Sequence, residues 1–300
     1  MSNNLFMKSN TMISQASLNQ LVTKKVLSGL LLFISFLILY YPVFLKLIHD
    51  WEVDPNYSHG YFIPLISLFM VWMSKDRLKS AHIASRKYGL VILILGLLQL
   101  AVSWVGNEYF LQGTSMILVL LGMSLYLGGP EITRILAVPI VYLVFMVPVP
   151  SIIWNKIAFP LALLASSVSA EAISALGMSI LREGNILTLP NITLQVVEAC
   201  SGLRSLITLL ALSAFLAFLA DQNKTKKLIL FLAAVPIALL SNAIRLIGTA
   251  VLARYWGASA ADGFIHGFSG WVVFVLGLGM LVGVKTLLDR LPTGRERHPE

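Results

Sequence analysis

The sequence predicts an all-α polytopic membrane protein with about eight transmembrane helices, an interfacial helix and a short outer β-hairpin. Three observations carry this. Apolar residues make up 57% of the chain against 12% charged, and mean hydropathy is +0.83, outside the range of a soluble globular domain. Eight apolar runs approach or reach the roughly 20 residues needed to cross a hydrocarbon core, a length that snorkelling flanks can shorten. The basic residues gather in the short segments between these runs, so the formal charge of +8 marks cytoplasmic loops and predicts no nucleic-acid partner.

In chain order, the first run, Val26–Leu45, follows a polar tail (1–25) and lacks a small-residue cleavage pattern, so it is expected to be retained rather than removed as a signal peptide. Further spans are expected at Gly60–Met73, Gly89–Val105, Phe110–Leu127, Ile135–Val149, Gly202–Ala220, Leu228–Arg254 and Trp271–Leu288. The stretch Lys156–Leu181 contains Ser166, Ser167, Ser169, Glu171 and Ser174 and is placed along the outer interface; a re-entrant pair of half-helices would preserve the same sidedness. With that placement 16 of the 22 basic residues fall on the cytoplasmic side, including Lys224, Lys226 and Lys227 and the basic C-terminal tail. A single crossing there would move those two groups outside, against the positive-inside rule. The expected organisation is a cytoplasmic tail (1–25), a membrane domain (26–288) and a cytoplasmic tail (289–300). Before Cys200, the β-branched runs Asn185–Leu189 and Ile192–Val197 flank the turn pair Pro190-Asn191 and predict a hairpin on the outer face.

Cys200 is the only cysteine among 300 residues, so no intrachain disulfide forms. A lone cysteine is most often a small buried hydrophobe. This one stands where a polar-flanked segment enters a long apolar run, with Arg204 one helical turn further on. Arg245 lies well inside the seventh run, with Asn242 three residues earlier on the same helical face. An intramembrane charge is costly and marks a functional site by default, against the structural alternatives of an ion pair or snorkelling. His266 by itself would read as a structural hydrogen-bonder. Laid out as helices at about 1.5 Å per residue, Cys200–Asp221, Lys227–Arg245 and His266–Lys285 are roughly 31, 27 and 28 Å long. All three residues therefore reach the same outer boundary of a core about 30 Å thick.

The three residue types are chemically complementary. A helix N-terminus and cationic neighbours lower a thiol pKa from about 8.5 into a range of roughly 3.5–7.5, which makes a thiolate nucleophile available. An imidazole can protonate a leaving amine and then deprotonate the incoming nucleophile. A guanidinium does not act as a base at physiological pH, so Arg245 fits the role of stabilising a thiolate or an oxyanion. Asn242 could orient either partner, and Arg204 could substitute for Arg245 or snorkel to phosphate. Neither a cofactor nor a metal is expected.

EACSGLRS around Cys200, NAIR ending on Arg245 and FIHG containing His266 resemble the exosortases. The resemblance takes in DPNYSHG (Asp54–Gly60) and the NILTLPNITLQVVEA approach to the cysteine, and it extends over nearly all of residues 26–288. It implies a membrane-embedded cysteine protease/transpeptidase with Cys200 as nucleophile, Arg245 as stabiliser and His266 as acid/base. It also implies substrates that are secreted, membrane-anchored proteins with a C-terminal sorting signal: a short motif often of Pro-Glu-Pro type, a transmembrane helix and a basic cluster. A link to exopolysaccharide production and a place in the bacterial inner membrane, with the site on the periplasmic face, follow from the same resemblance.

Two other readings compete. Gly267-Phe268-Ser269-Gly270 fits the GxSG pattern of a rhomboid-like serine protease, but such an enzyme needs a histidine on a later helix, and the only later one is His298 in the polar tail. A transporter or flippase for a lipid-linked or anionic substrate would use Arg245 to bind a headgroup, yet transporter sites usually lie at the midplane, whereas these polar residues gather at one face. His59, in Ser58–Gly60, is assigned a structural role or a place at the substrate entrance, and not a catalytic one.

Overall fold

The computed structural model describes the backbone of residues 2–190, 192–195, 202–220, 223–257, 259 and 264–291; the side chains of 2–26, 195, 202–205 and 264–269 lie outside that description. The helices are α1 (Ser2–Val53), α2 (Phe62–Met73), α3 (Lys75–Ser80), α4 (Tyr88–Val105), α5 (Tyr109–Leu127), α6 (Pro130–Tyr142), α7 (Ser151–Ala175), α8 (Gly202–Leu219), α9 (Lys224–Trp256) and α10 (Phe264–Arg290). Two 3₁₀ segments, η1 (Pro55–Tyr61) and η2 (Leu143–Met146), and three strands, β1 (Leu181–Glu183), β2 (Ile186–Leu189) and β3 (Ile192–Gln195), complete it. The chain divides into two compact units, Met1–Val53 with Ser67–Val147 and Asp54–Ile66 with Pro148–Glu300.

The all-α polytopic class stands, and the described residues do not confirm the expected count of eight spans. Among the described residues six helices are long and apolar enough to cross: Leu27–Val53, Tyr88–Val105, Tyr109–Leu127, Ser151–Ala175, Lys224–Trp256 and Gly270–Arg290. α8 has 18 residues, of which Leu206–Leu219 form the described apolar part, and α2 and α6 have only 12 and 13 residues. At about 1.5 Å per residue these last two reach roughly 18 and 20 Å, short of a 30 Å core. Pro130 starts α6 after Gly129, whose φ of +88° suits glycine, and the helix tightens into η2 before the prolines Pro148 and Pro150.

The stretch expected at the interface forms one uninterrupted helix of 25 residues, α7, rather than a re-entrant pair, and its length and composition suffice to cross. Its serines do not prevent this. Ser166 and Ser169 are buried, and Ser166 Oγ donates to the Ala162 carbonyl 2.8 Å away within the same helix.

In the first unit, α4 and α5 form an antiparallel pair joined by three residues, and their backbones meet at glycines. A Cβ at Gly89 would stand 2.2 Å from Tyr126 N, and one at Gly122 would stand 2.5 Å from Leu93 N. Such small-residue contacts bring membrane helices into van der Waals range where lipid offers no hydrophobic drive. Tyr40 on α1 shares a hydrogen bond of 2.9 Å with Ser115 on α5, and Trp51 Nε1 donates to Met146 O at 2.9 Å.

The second unit packs α8, α9 and α10 around Leu206, Leu209, Leu230, Ala234, Ile237 and Leu281. α7 and the sheet pack on the other part of α9, where Ala165, Ile173, Leu187, Leu194, Leu246 and Ala250 are buried together. α9 runs beyond its expected ends for local reasons. The Asn223 side chain accepts from Lys226 N to cap the start, and Gly257 at φ +83° terminates the helix.

Candidate active site

The expected hairpin is present, with one strand more than expected. β2 and β3 pair antiparallel with Leu189 opposite Ile192, so Pro190 opens the turn, and β1 pairs with β2 through a second two-residue turn containing Gly184 at φ +64°. The alternation of buried Leu187 and Leu189 with exposed Thr188 docks one face of the sheet. Leu187, Leu189 and Leu194 share a core with Leu246 and Ala250 of α9. The sheet is thereby anchored at the level of Leu246, the residue after Arg245. β3 ends at Gln195, five residues before Cys200, and α8 begins at Gly202. Cys200 lies outside the described residues, as do the side chains of Arg204 and His266.

Arg245 projects from α9 toward α10. A Cβ placed at Gly270 would stand 3.9 Å from its Nη1. Further along α10, Gly277 fits against Leu209 of α8 and Ser241 of α9, where a Cβ would stand 3.1 Å from Leu209 Cδ1 and 3.3 Å from Ser241 Oγ. Leu281 and Leu288 continue the same face into the shared core. Residues four or seven apart share a helical face. His266, four before Gly270, therefore falls on the stripe that α10 turns toward α8 and α9. Asn242, one turn before Arg245 on α9, is buried at 5% exposure.

The expected span start at Trp271 agrees within one residue with that of the apolar stretch Gly270–Arg290, while the helix itself is longer. The helix starts at Phe264 and passes through Gly267 and Gly270. Tertiary packing outweighs the helix penalty of glycine, about 1 kcal/mol per residue. Close approach at Gly277 is what its missing side chain permits, a function that the sequence reading missed. The regular recurrence of glycine at 263, 270 and 277 was the available signal.

η1 belongs to this same unit and packs against α8. Asp54 caps it by accepting from Asn56 N at 2.9 Å, and Tyr57 is buried with its hydroxyl accepting from Val149 N at 2.9 Å. Burial pushes the Tyr57 hydroxyl above its ordinary pKa, partly offset by the Val149 bond, so it stays protonated at neutral pH. His59 is half-buried and stacks on Tyr57 with ring centroids 6.2 Å apart.

The arrangement supplies a directional guanidinium donor at a helix contact and a sheet that ends five residues before the lone thiol in the sequence. The sequence model of the transmembrane exosortase family matches residues 51–283, which take in η1, Cys200, Arg245 and His266. No curated protein and no solved structure matches the chain. Because that match covers more than three quarters of its length, the chain belongs to the transmembrane exosortases, a family of membrane-embedded protein-processing enzymes.

Proposed function

We propose that this protein is a cysteine protease/transpeptidase that removes a C-terminal sorting signal, often of Pro-Glu-Pro type, from secreted membrane-anchored proteins. The observation that carries the reading is the family match, which spans all three expected catalytic residues. The position of Arg245 against the stripe of α10 that contains His266 supports it. In the proposed reaction the Cys200 thiolate attacks the scissile carbonyl, and Arg245 donates to the oxyanion. The C–N bond breaks, His266 protonates the leaving amine, and a thioester remains on Cys200. His266 then deprotonates water or an amine, whose attack on the thioester releases the product and restores the thiol. Asn242 and Arg204 are assigned supporting roles.

The same proposal places residues 26–288 in a bacterial inner membrane, with both tails cytoplasmic and the site on the periplasmic face. The concentration of basic residues in the tails and in the 74–88 and 221–227 segments supports this orientation. A site at the lipid boundary meets a scissile bond just outside a substrate's own transmembrane helix, and cytoplasmic basic residues on the substrate would orient it. The link to exopolysaccharide production belongs to this reading through the family resemblance.

Mass spectrometry of the mature C-terminus of a co-expressed tethered substrate tests the reaction type. A new free carboxylate upstream of the substrate helix indicates hydrolysis, and an added mass at that carboxyl indicates transfer. A substrate that keeps its intact sorting signal contradicts the proposal.

A further inference from the structure

A groove lies at the C-terminal end of α9, and Arg245 is not among its lining residues. It holds about 220 Å³ and is lined by Met178 and Ser179 after α7, Leu189 and Ile192 of the sheet, and Ala253 and Arg254 of α9. Arg254 is nine residues beyond Arg245, two and a half helical turns, so it faces the opposite side of α9. Its Nη1 donates to Gly177 O at 3.1 Å, an anchor that fixes one arm of the guanidinium fork at the groove. The ion pairs among the described residues, Lys46–Asp50 and Lys285–Asp289, do not involve it. The groove therefore combines an apolar floor with a cation that no described carboxylate neutralises.

Next to it, Tyr255 and Trp256 are 71% and 67% exposed at the end of a spanning helix. Aromatic residues in that position mark the headgroup level of a bilayer. Leu176 and Leu181, 57% and 58% exposed, flank the groove's entrance loop with apolar surface suited to acyl chains. The carbonyl end of α9 repels anions, so anion binding here depends on the Arg254 fork, whose planar donors match phosphate oxygens. We propose that this groove binds the phosphate of an anionic membrane lipid, bracing the sheet and α9 at the headgroup plane. The proposal is independent of the processing reaction.

Native mass spectrometry of the full-length protein loaded with phosphatidylglycerol tests it. Wild type is expected to retain the lipid, and Arg254→Gln to weaken retention by about tenfold, the loss of one charge-assisted contact. Ser179→Trp fills the groove while leaving Arg254 in the sequence and is expected to lower retention too, which keeps the test intact if Arg254→Gln folds poorly. Arg182→Gln removes an exposed cation from the edge strand β1, outside the groove, and is expected to leave retention unchanged. Wild-type retention in both groove variants overturns the proposal, as does an equal loss in Arg182→Gln. Displacement of the lipid by equimolar inorganic phosphate, or by a soluble peptide with a Leu-Glu-Leu sequence, also overturns it, because the groove would then take a free anion or an acidic peptide.

Discussion

Arg245 is the residue on which a directional role is easiest to separate from a general field. Lysine at this position keeps the charge but replaces a planar fork with a compact ammonium on a different stem. Losing one aligned oxyanion donor costs about 10²–10³ in rate. Arg245→Lys is therefore expected to process substrate almost as poorly as Arg245→Ala while inserting normally, measured by initial processing rates at matched protein levels. Near wild-type rates for lysine would leave Arg245 only a supporting field. Lys226 offers a structural counterpart at the other end of α9. It is 8% exposed, and its Nζ donates to Leu288 O at 2.8 Å and Leu291 O at 2.6 Å, capping the end of α10. Lys226→Met should leave those carbonyls without their donor and cost about 1–3 kcal/mol, read as a lowered unfolding midpoint in detergent. An unchanged midpoint would show that water replaces the ammonium without cost.

At the scale of elements, the contact of α10 with α8 and α9 rests on glycine. Gly277→Leu would press side-chain atoms into Leu209 and Ser241, and overpacking of this kind costs about 1–3 kcal/mol. We expect a lowered unfolding midpoint together with impaired processing, because α10 carries His266 in the proposed reaction and Gly277 seats that helix against α8 and α9. Normal processing in Gly277→Leu would separate the two. Much of this level was legible in the sequence. The apolar runs located α4, α5 and α8 within a residue or two, and the β-branched pair around Pro190 located β2 and β3. What was missed has physical causes. β1 is a three-residue edge strand with no buried side chain, so it has no apolar pattern, and only the Gly184-Asn185 turn announced it. The early start of α10 was hidden because glycine's helix penalty is local while the packing that offsets it is tertiary. α7 was placed at the interface on the charge distribution around it, and its length and composition also suffice to cross, with buried Ser166 bonding within its own helix.

For the whole molecule, α7 and the short helices α2 and α6 decide on which side of the membrane the site opens, since each crossing inverts everything after it. The charge pattern requires an even number of crossings between the basic segments at 74–88 and 221–227. Because Cys200 is the only thiol, labelling of intact cells with an impermeant maleimide reads its side directly. Labelling before lysis is expected, and labelling that appears only after lysis would reverse the orientation. The expectation of Cys200, Arg245 and His266 drew on residue types that are rare in apolar sequence, whereas the groove at Arg254 joins three elements distant in the chain and leaves no local pattern. The measurement that bears most directly on the central claim is the intact mass of a tethered substrate co-expressed with wild-type protein or with Cys200→Ala. Loss of the sorting-signal mass with wild type, and its full retention with Cys200→Ala at equal abundance, is the predicted result. Truncation at the same bond and rate with Cys200→Ala would contradict the assignment of the nucleophile.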